Sequence, residues 1–155
     1  MLAAPMLAAP CQANVFSTQD AIKFGNIVLR IESTRAAIND EGMKLNIVPG
    51  QVEAYACILS VQAPSERLVG YLSEMQSLVN LESSAKNADD SGAVVDNIKT
   101  TLFPVGFFPP LIESILYRNK KACSNYEVYQ KINPLAEKLL NDAKEGIAMI
   151  KDKLK

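Results

Sequence analysis

The sequence predicts an all-α protein: a single-domain antiparallel bundle of about five or six helices, with a Phe/Pro-rich connector between two of them. Apolar residues recur at helical spacing along most of the chain. No two segments with strand-like alternation are available to pair into a sheet. The 155 residues match the size of one domain, and 48% hydrophobic with 21% charged residues is the composition of a packed globule rather than a disordered chain.

The first half of the chain predicts three helices. The first begins at Ser17, because Ser17 and Asp20 have the spacing of a capping box and Phe24 opens an apolar stripe at helical spacing. The second spans residues 51–62, and the third runs from about residue 65 to residue 81. Pro64 lies between them, and we expect it to end or kink the helix because proline lacks the N–H of the helical ladder.

Residues 83–92 form a polar, turn-rich stretch that predicts a mobile loop. A fourth helix is expected to start with Asp90 or Ser91 as its cap and to stop at Pro104. The nearby carboxylates do not have the alternating spacing of a calcium-binding loop, so a solvated loop with a capping aspartate is the better interpretation. The acidic residues concerned are Glu82, Asp89, Asp90 and Asp96.

The segment from Thr101 to Arg118 concentrates aromatic residues among prolines, and we expect it not to be regular helix until a short helix starts at Pro109 or Pro110. Two interpretations of Phe103, Phe107 and Phe108 stay open. Exposed rings would offer an apolar contact to a partner groove or a membrane surface. Rings folded inward would close the end of the bundle, each contributing about 2–3 kcal/mol.

The last helical region is expected to open with a capping box over residues 124–127 and to kink or restart at Pro134. Tyr126 and Tyr129 are three residues apart, so they share a face of a helix and are candidates for a partner or ligand contact. Core packing with the hydroxyl at the surface is the alternative. Arg118, Lys120 and Lys121 predict either a solvated helix end or a contact to acidic lipid or a partner.

Residues 1–13 predict a signal-like or disordered N-terminal segment, which leaves residues 14–155 for the helical domain. The segment is uncharged and ends in a small-x-small pattern at residues 11–13, so a truncated secretory signal, a lipoprotein signal acylated at Cys11 and a disordered tail all stay open. Cys57 and Cys123 would form one disulfide in an exported protein, or remain two buried thiols.

The chain contains no histidine, which excludes Ser-His-Asp and Cys-His catalysis within it and removes the commonest metal ligand. A net charge of −1 offers no basic excess for nucleic acid. We therefore expect no catalytic residue, cofactor or metal, and a non-enzymatic, exported (periplasmic or secreted) protein that acts through protein–protein contacts. The alternative is a helical carrier or binding module for an apolar small molecule or lipid, and membrane contact is expected only at the surface.

Overall fold

The computed structural model describes residues 14–45 and 51–155, so the signal-like segment and residues 46–50 of the first connector lie outside it. The described residues form five helices and no strand, which confirms the predicted all-α class. The helices are α1 (Thr18–Met43), α2 (Val52–Ser83), α3 (Ala88–Val105), α4 (Phe108–Ala122) and α5 (Glu127–Lys153).

The five helices occupy four positions in the bundle, which we call its legs. Helices α3 and α4 share one leg, because they follow one another along the same neighbouring helix, α2. Ser91 near the start of α3 bonds to Glu82 near the end of α2, and Asn119 near the end of α4 bonds to Ser60 near the start of α2. This leg is therefore antiparallel to α2. Glu32 of α1 likewise accepts a bond from Ser73 of α2, in the middle of both helices.

Helix α5 completes the bundle by packing along α1 and α4. Lys153 at its end pairs with Asp20 at the start of α1, and Lys138 near its middle reaches Thr34. On its other side Lys144 pairs with Glu113 of α4. These contacts make α5 antiparallel to α1. The core between the legs is a single cluster of buried, mostly aliphatic side chains that also includes Phe16, Phe24 and Tyr129.

The first helix begins as predicted. The Ser17 side chain accepts a hydrogen bond from the Asp20 backbone N–H, and the Asp20 carboxylate accepts one from the Ser17 backbone N–H, so the capping box is complete. The carboxylate of Asp20 also accepts a bond from Lys153 at 2.8 Å. The Lys153 and Ser17 contacts lower the pKa of Asp20 to about 2, so this cap also joins the first helix to the last.

Of the two outcomes expected at Pro64, the end of a helix is wrong. Helix α2 continues through Pro64 as one helix. Ile58, Val61 and Leu68 on either side of Pro64 belong to one buried row. Continuing the helix keeps that row in the core, and each buried side chain contributes about 1.5–3 kcal/mol. Together they outweigh the ~3 kcal/mol cost of an interior proline.

Helix α5 likewise continues through Pro134, so the restart predicted at this residue does not occur. The predicted capping box over residues 124–127 is wrong too. Tyr126 is the N-cap residue and makes no side-chain cap bond. The hydroxyl of Ser124 donates instead to the carbonyl of Lys121, and the carboxylate of Glu127 pairs with Lys131 one turn further along α5.

The loop predicted over residues 83–92 is much shorter, and α3 begins at Ala88. The cap is Asn87 rather than Asp90 or Ser91: its side-chain oxygen accepts the Asp90 N–H at 2.8 Å. Asp89 and Asp90 then lie in the first turn, where the positive end of the helix dipole favours carboxylates.

Candidate interaction surface

The Phe/Pro segment is more helical than the sequence predicts. Helix α3 continues through Pro104 to Val105, α4 starts at Phe108, and only Gly106 and Phe107 lie between them. Both keep right-handed helical dihedrals, with φ and ψ of −62° and −18° for Gly106 and −81° and −25° for Phe107. We call the junction formed by residues 105–108 the elbow.

Consecutive prolines explain why the ladder is interrupted at the elbow. Pro109 and Pro110 have no N–H, so the carbonyls of Val105 and Gly106 lack their helical donors. The Gly106 N–H still donates to the carbonyl of Leu102 at 3.1 Å, and the Leu111 N–H donates to that of Phe107 at 3.3 Å. The chain therefore keeps its helical course through the elbow.

The elbow separates the three phenylalanines into two groups. Phe103 and Phe107 point outward, with 73% and 61% of their surface exposed, and their rings meet edge to face with centroids 5.1 Å apart. Phe108 is half-buried and packs on Tyr71 of α2 with centroids 5.7 Å apart. The outward interpretation therefore describes Phe103 and Phe107, and the inward interpretation describes Phe108.

The two tyrosines do not join this surface. Tyr129 is buried, and its hydroxyl lies 3.1 Å from the Asn133 side-chain oxygen; burial raises its pKa. The Tyr126 hydroxyl donates to Glu53 at 2.8 Å, and this bond raises the pKa of Tyr126. Glu53 lies in the first turn of α2, whereas Phe108 packs on Tyr71, 18 residues further along that helix, which is about 27 Å at the helical rise.

The sulfur atoms of Cys57 and Cys123 lie 2.01 Å apart, so these residues form a disulfide. It joins the first turns of α2 to the end of α4, next to the bond that Asn119 donates to the Ser60 hydroxyl at 2.9 Å. Cys123 is 1% exposed, so the bond is shielded on that side. The disulfide holds the leg that carries the elbow against α2.

The acidic residues considered for calcium do not come together. Glu82 is fully buried, and its carboxylate accepts bonds from the backbone N–H groups of Val15 and Phe16, both at 2.8 Å, and from the Ser91 hydroxyl at 2.7 Å. Within residues 14–45 and 51–155, no three His, Cys, Asp or Glu side chains converge as metal ligands. Glu82 instead fixes the segment before α1 to the turn between α2 and α3.

Surface depressions on the described residues are open to solvent. One of about 440 Å³ lies between α1 and α5 beside Leu29 and Lys138, and one of about 580 Å³ lies beside Tyr117 and Arg118 at the end of α4. No described helix is both long and apolar enough to cross a bilayer. No family model, curated protein or solved structure matches this chain.

Leu111 is a further exposed apolar residue beside the two phenylalanines, and it was not among the predicted contact residues. The structure leaves Leu111 45% exposed, one helical turn after Phe107. The signal was present in the spacing: Phe103, Phe107 and Leu111 are each four residues apart, which places them in one row if the elbow stays helical.

Proposed function

We propose that this protein is a non-enzymatic, exported helical protein, periplasmic or secreted, that acts through protein–protein contacts. The contact surface is the pair Phe103 and Phe107 at the elbow. The observation that carries the proposal is their exposure, 73% and 61%, next to a core that buries the other phenylalanines partly or completely. Aromatic residues, phenylalanine among them, are enriched at the cores of protein interfaces relative to the rest of the surface.

The geometry of the elbow supports a contact role. Edge-to-face packing of the two rings limits their rotation, and the prolines that follow restrict the backbone. A partner that covers these rings would pay little conformational entropy for ordering them. The pair is therefore suited to act as an anchor.

Export is supported by the disulfide between Cys57 and Cys123, since such bonds persist in oxidising compartments, and by the signal-like composition of residues 1–13. The alternative, a carrier for an apolar small molecule or lipid, needs an enclosed apolar cavity. The depressions found on the described residues are open, and the one at the end of α4 is lined by Tyr117, Ser124 and three cations. These observations favour protein contacts.

The test uses a photo-reactive phenylalanine analogue at position 107, with Leu29 on α1 as the matched control because it is 60% exposed. We expect light to produce a discrete protein adduct from position 107, in the exported fraction of the cells that make the protein, and not from position 29. Replacing Phe103 and Phe107 by Ser should then weaken binding of the captured protein about thirtyfold or more. No adduct above that of position 29 would overturn the proposal.

A further inference from the structure

The outward face of the α3–α4 leg carries a row of seven exposed residues that continues through the elbow. Its members follow one another in steps of four, three, four, four, three and four residues: Asp96, Thr100, Phe103, Phe107, Leu111, Ser114 and Arg118. The average step is close to the 3.6 residues of a helical turn, so the members of the row stay on one face of the leg. The helical dihedrals of Gly106 and Phe107 keep both halves of the row in register.

The row is self-complementary. Its steps are the same from either end, with Phe107 at the centre. When a second copy is laid antiparallel on it, Phe103 faces Leu111, Thr100 faces Ser114 and Phe107 faces itself. The outermost position on one side is Asp96 and on the other side Arg118, so opposite charges meet at both ends.

The charges at the two ends are available for such contacts. The side chain of Asp96 is 79% exposed and has only a loose pairing with Lys99, at 3.5 Å. Arg118 is exposed and makes no ion pair with any residue of the part of the chain that the structure describes. Lys121 lies one turn beyond Arg118, and Asp89 lies two turns before Asp96, so a further charge of the same sign lies beyond each end of the row.

We propose that the partner of this surface is a second copy of the same chain. Two legs pack antiparallel about a twofold axis at Phe107, with Asp96 of each copy facing Arg118 of the other. This inference rests on the proposed function, because it uses the same exposed phenylalanines. A twofold interface uses the same patch on both copies, and a row with a palindromic order of apolar, hydroxyl and opposite charges is such a patch.

The row extends over 22 residue steps from Asp96 to Arg118, or about 33 Å of helix. One helix pair of this length lies at the lower end of specific interface sizes, so we expect a dimer that forms and dissociates with concentration, with a Kd on the order of micromolar. The aromatic centre supplies the affinity, and the charged ends select the antiparallel direction.

The test is a charge exchange measured by sedimentation equilibrium of the full chain with its disulfide intact. Asp96→Arg leaves arginine at both ends of the row, and Arg118→Asp leaves aspartate at both ends. Each variant alone should dimerise at least tenfold more weakly than the wild type, because two attractive pairs become repulsive. An equimolar mixture of the two variants should dimerise about as well as the wild type, because every charge again meets its opposite.

Matched controls reverse two exposed charges on α1, Asp40→Arg and Lys23→Asp, and these should leave the dimer constant unchanged. A wild type that stays monomeric at several hundred micromolar would overturn the inference. A dimer that persists in Asp96→Arg or Arg118→Asp, or a mixture that fails to regain it, would also overturn it. A monomer whose photo-reactive position 107 captures a different protein would overturn the second copy while supporting the proposed contact function.

Discussion

Glu82 offers the sharpest test of how the bundle holds its N-terminal segment. The fully buried carboxylate accepts the backbone N–H groups of Val15 and Phe16, and Phe16 itself is 0% exposed. After Glu82→Ala, the segment has two choices. It can stay in place with N–H groups that lack an acceptor, or it can leave the core and expose Phe16.

The two costs are similar. An unsatisfied buried N–H costs about 1–3 kcal/mol; the N–H of Phe16 is buried, whereas that of Val15 is only partly buried and can bond to water. Exposing Phe16 costs about 2–3 kcal/mol. We therefore expect Glu82→Ala to lower the free energy of unfolding by about 3 kcal/mol. Phe16→Ala should cost about 3–4 kcal/mol through the cavity it leaves.

The two substitutions should not be additive. Once the segment has left the core, removing the second partner costs little, so the double variant should lose about 4 kcal/mol rather than the sum of 6–7 kcal/mol. The assay is urea unfolding followed by circular dichroism, with linear extrapolation. Glu74→Ala, an exposed carboxylate of the same helix, is the control and should change stability by less than about 0.5 kcal/mol.

Two results would refute this reasoning. A cost below about 1 kcal/mol for Glu82→Ala would mean that water replaces the carboxylate without releasing the segment. Additive costs, within about 0.5 kcal/mol, would mean that Glu82 and Phe16 stabilise different parts of the fold.

Three further predictions concern the helices and their connections. Gly70→Ala should raise the free energy of unfolding by up to about 1 kcal/mol, because nothing lies within 4 Å of the added methyl group. In Gly146→Ala the methyl group would lie 3.2 Å from Phe24, so the free energy of unfolding of this variant should be at least ~1 kcal/mol lower than that of Gly70→Ala in the same urea assay. Asp20→Asn should flatten the loss of stability between pH 4 and pH 2. The wild-type carboxylate, with its pKa lowered to about 2, stabilises the fold above the unfolded pKa of about 3.9 and loses this contribution as the pH falls; equal slopes in both proteins would contradict this. Reducing the disulfide, which closes a sequence separation of 66 residues, should cost about 4 kcal/mol by the chain-entropy relation, and an unchanged urea midpoint would contradict it.

Local pattern determined the helical class and the start of the first helix. Apolar residues at helical spacing define a buried face wherever the chain packs, and the Ser17–Asp20 capping box lies within four residues, so neither depends on distant parts of the chain. The tendency of the interior prolines to interrupt a helix was overestimated, because it was judged from local sequence alone. Pro64 and Pro134 are local costs, and burial of the apolar rows around them is a tertiary gain that no window of sequence contains.

The candidate surface was predictable in composition but not in detail. Sequence alone located the aromatic cluster, yet it left open which rings face outward. The packing of Phe108 on Tyr71 decided that, because Phe108 lies on the side of the chain that faces α2. Phe103 and Phe107 lie away from α2 and remain exposed. The buried carboxylate of Glu82 and the burial of Tyr129 were likewise decided by contacts between residues far apart in the chain. The sequence by itself therefore determined the helical class and the start of the first helix. Only the tertiary structure decided whether the helices continue through their prolines and which side of each helix remains available for contacts.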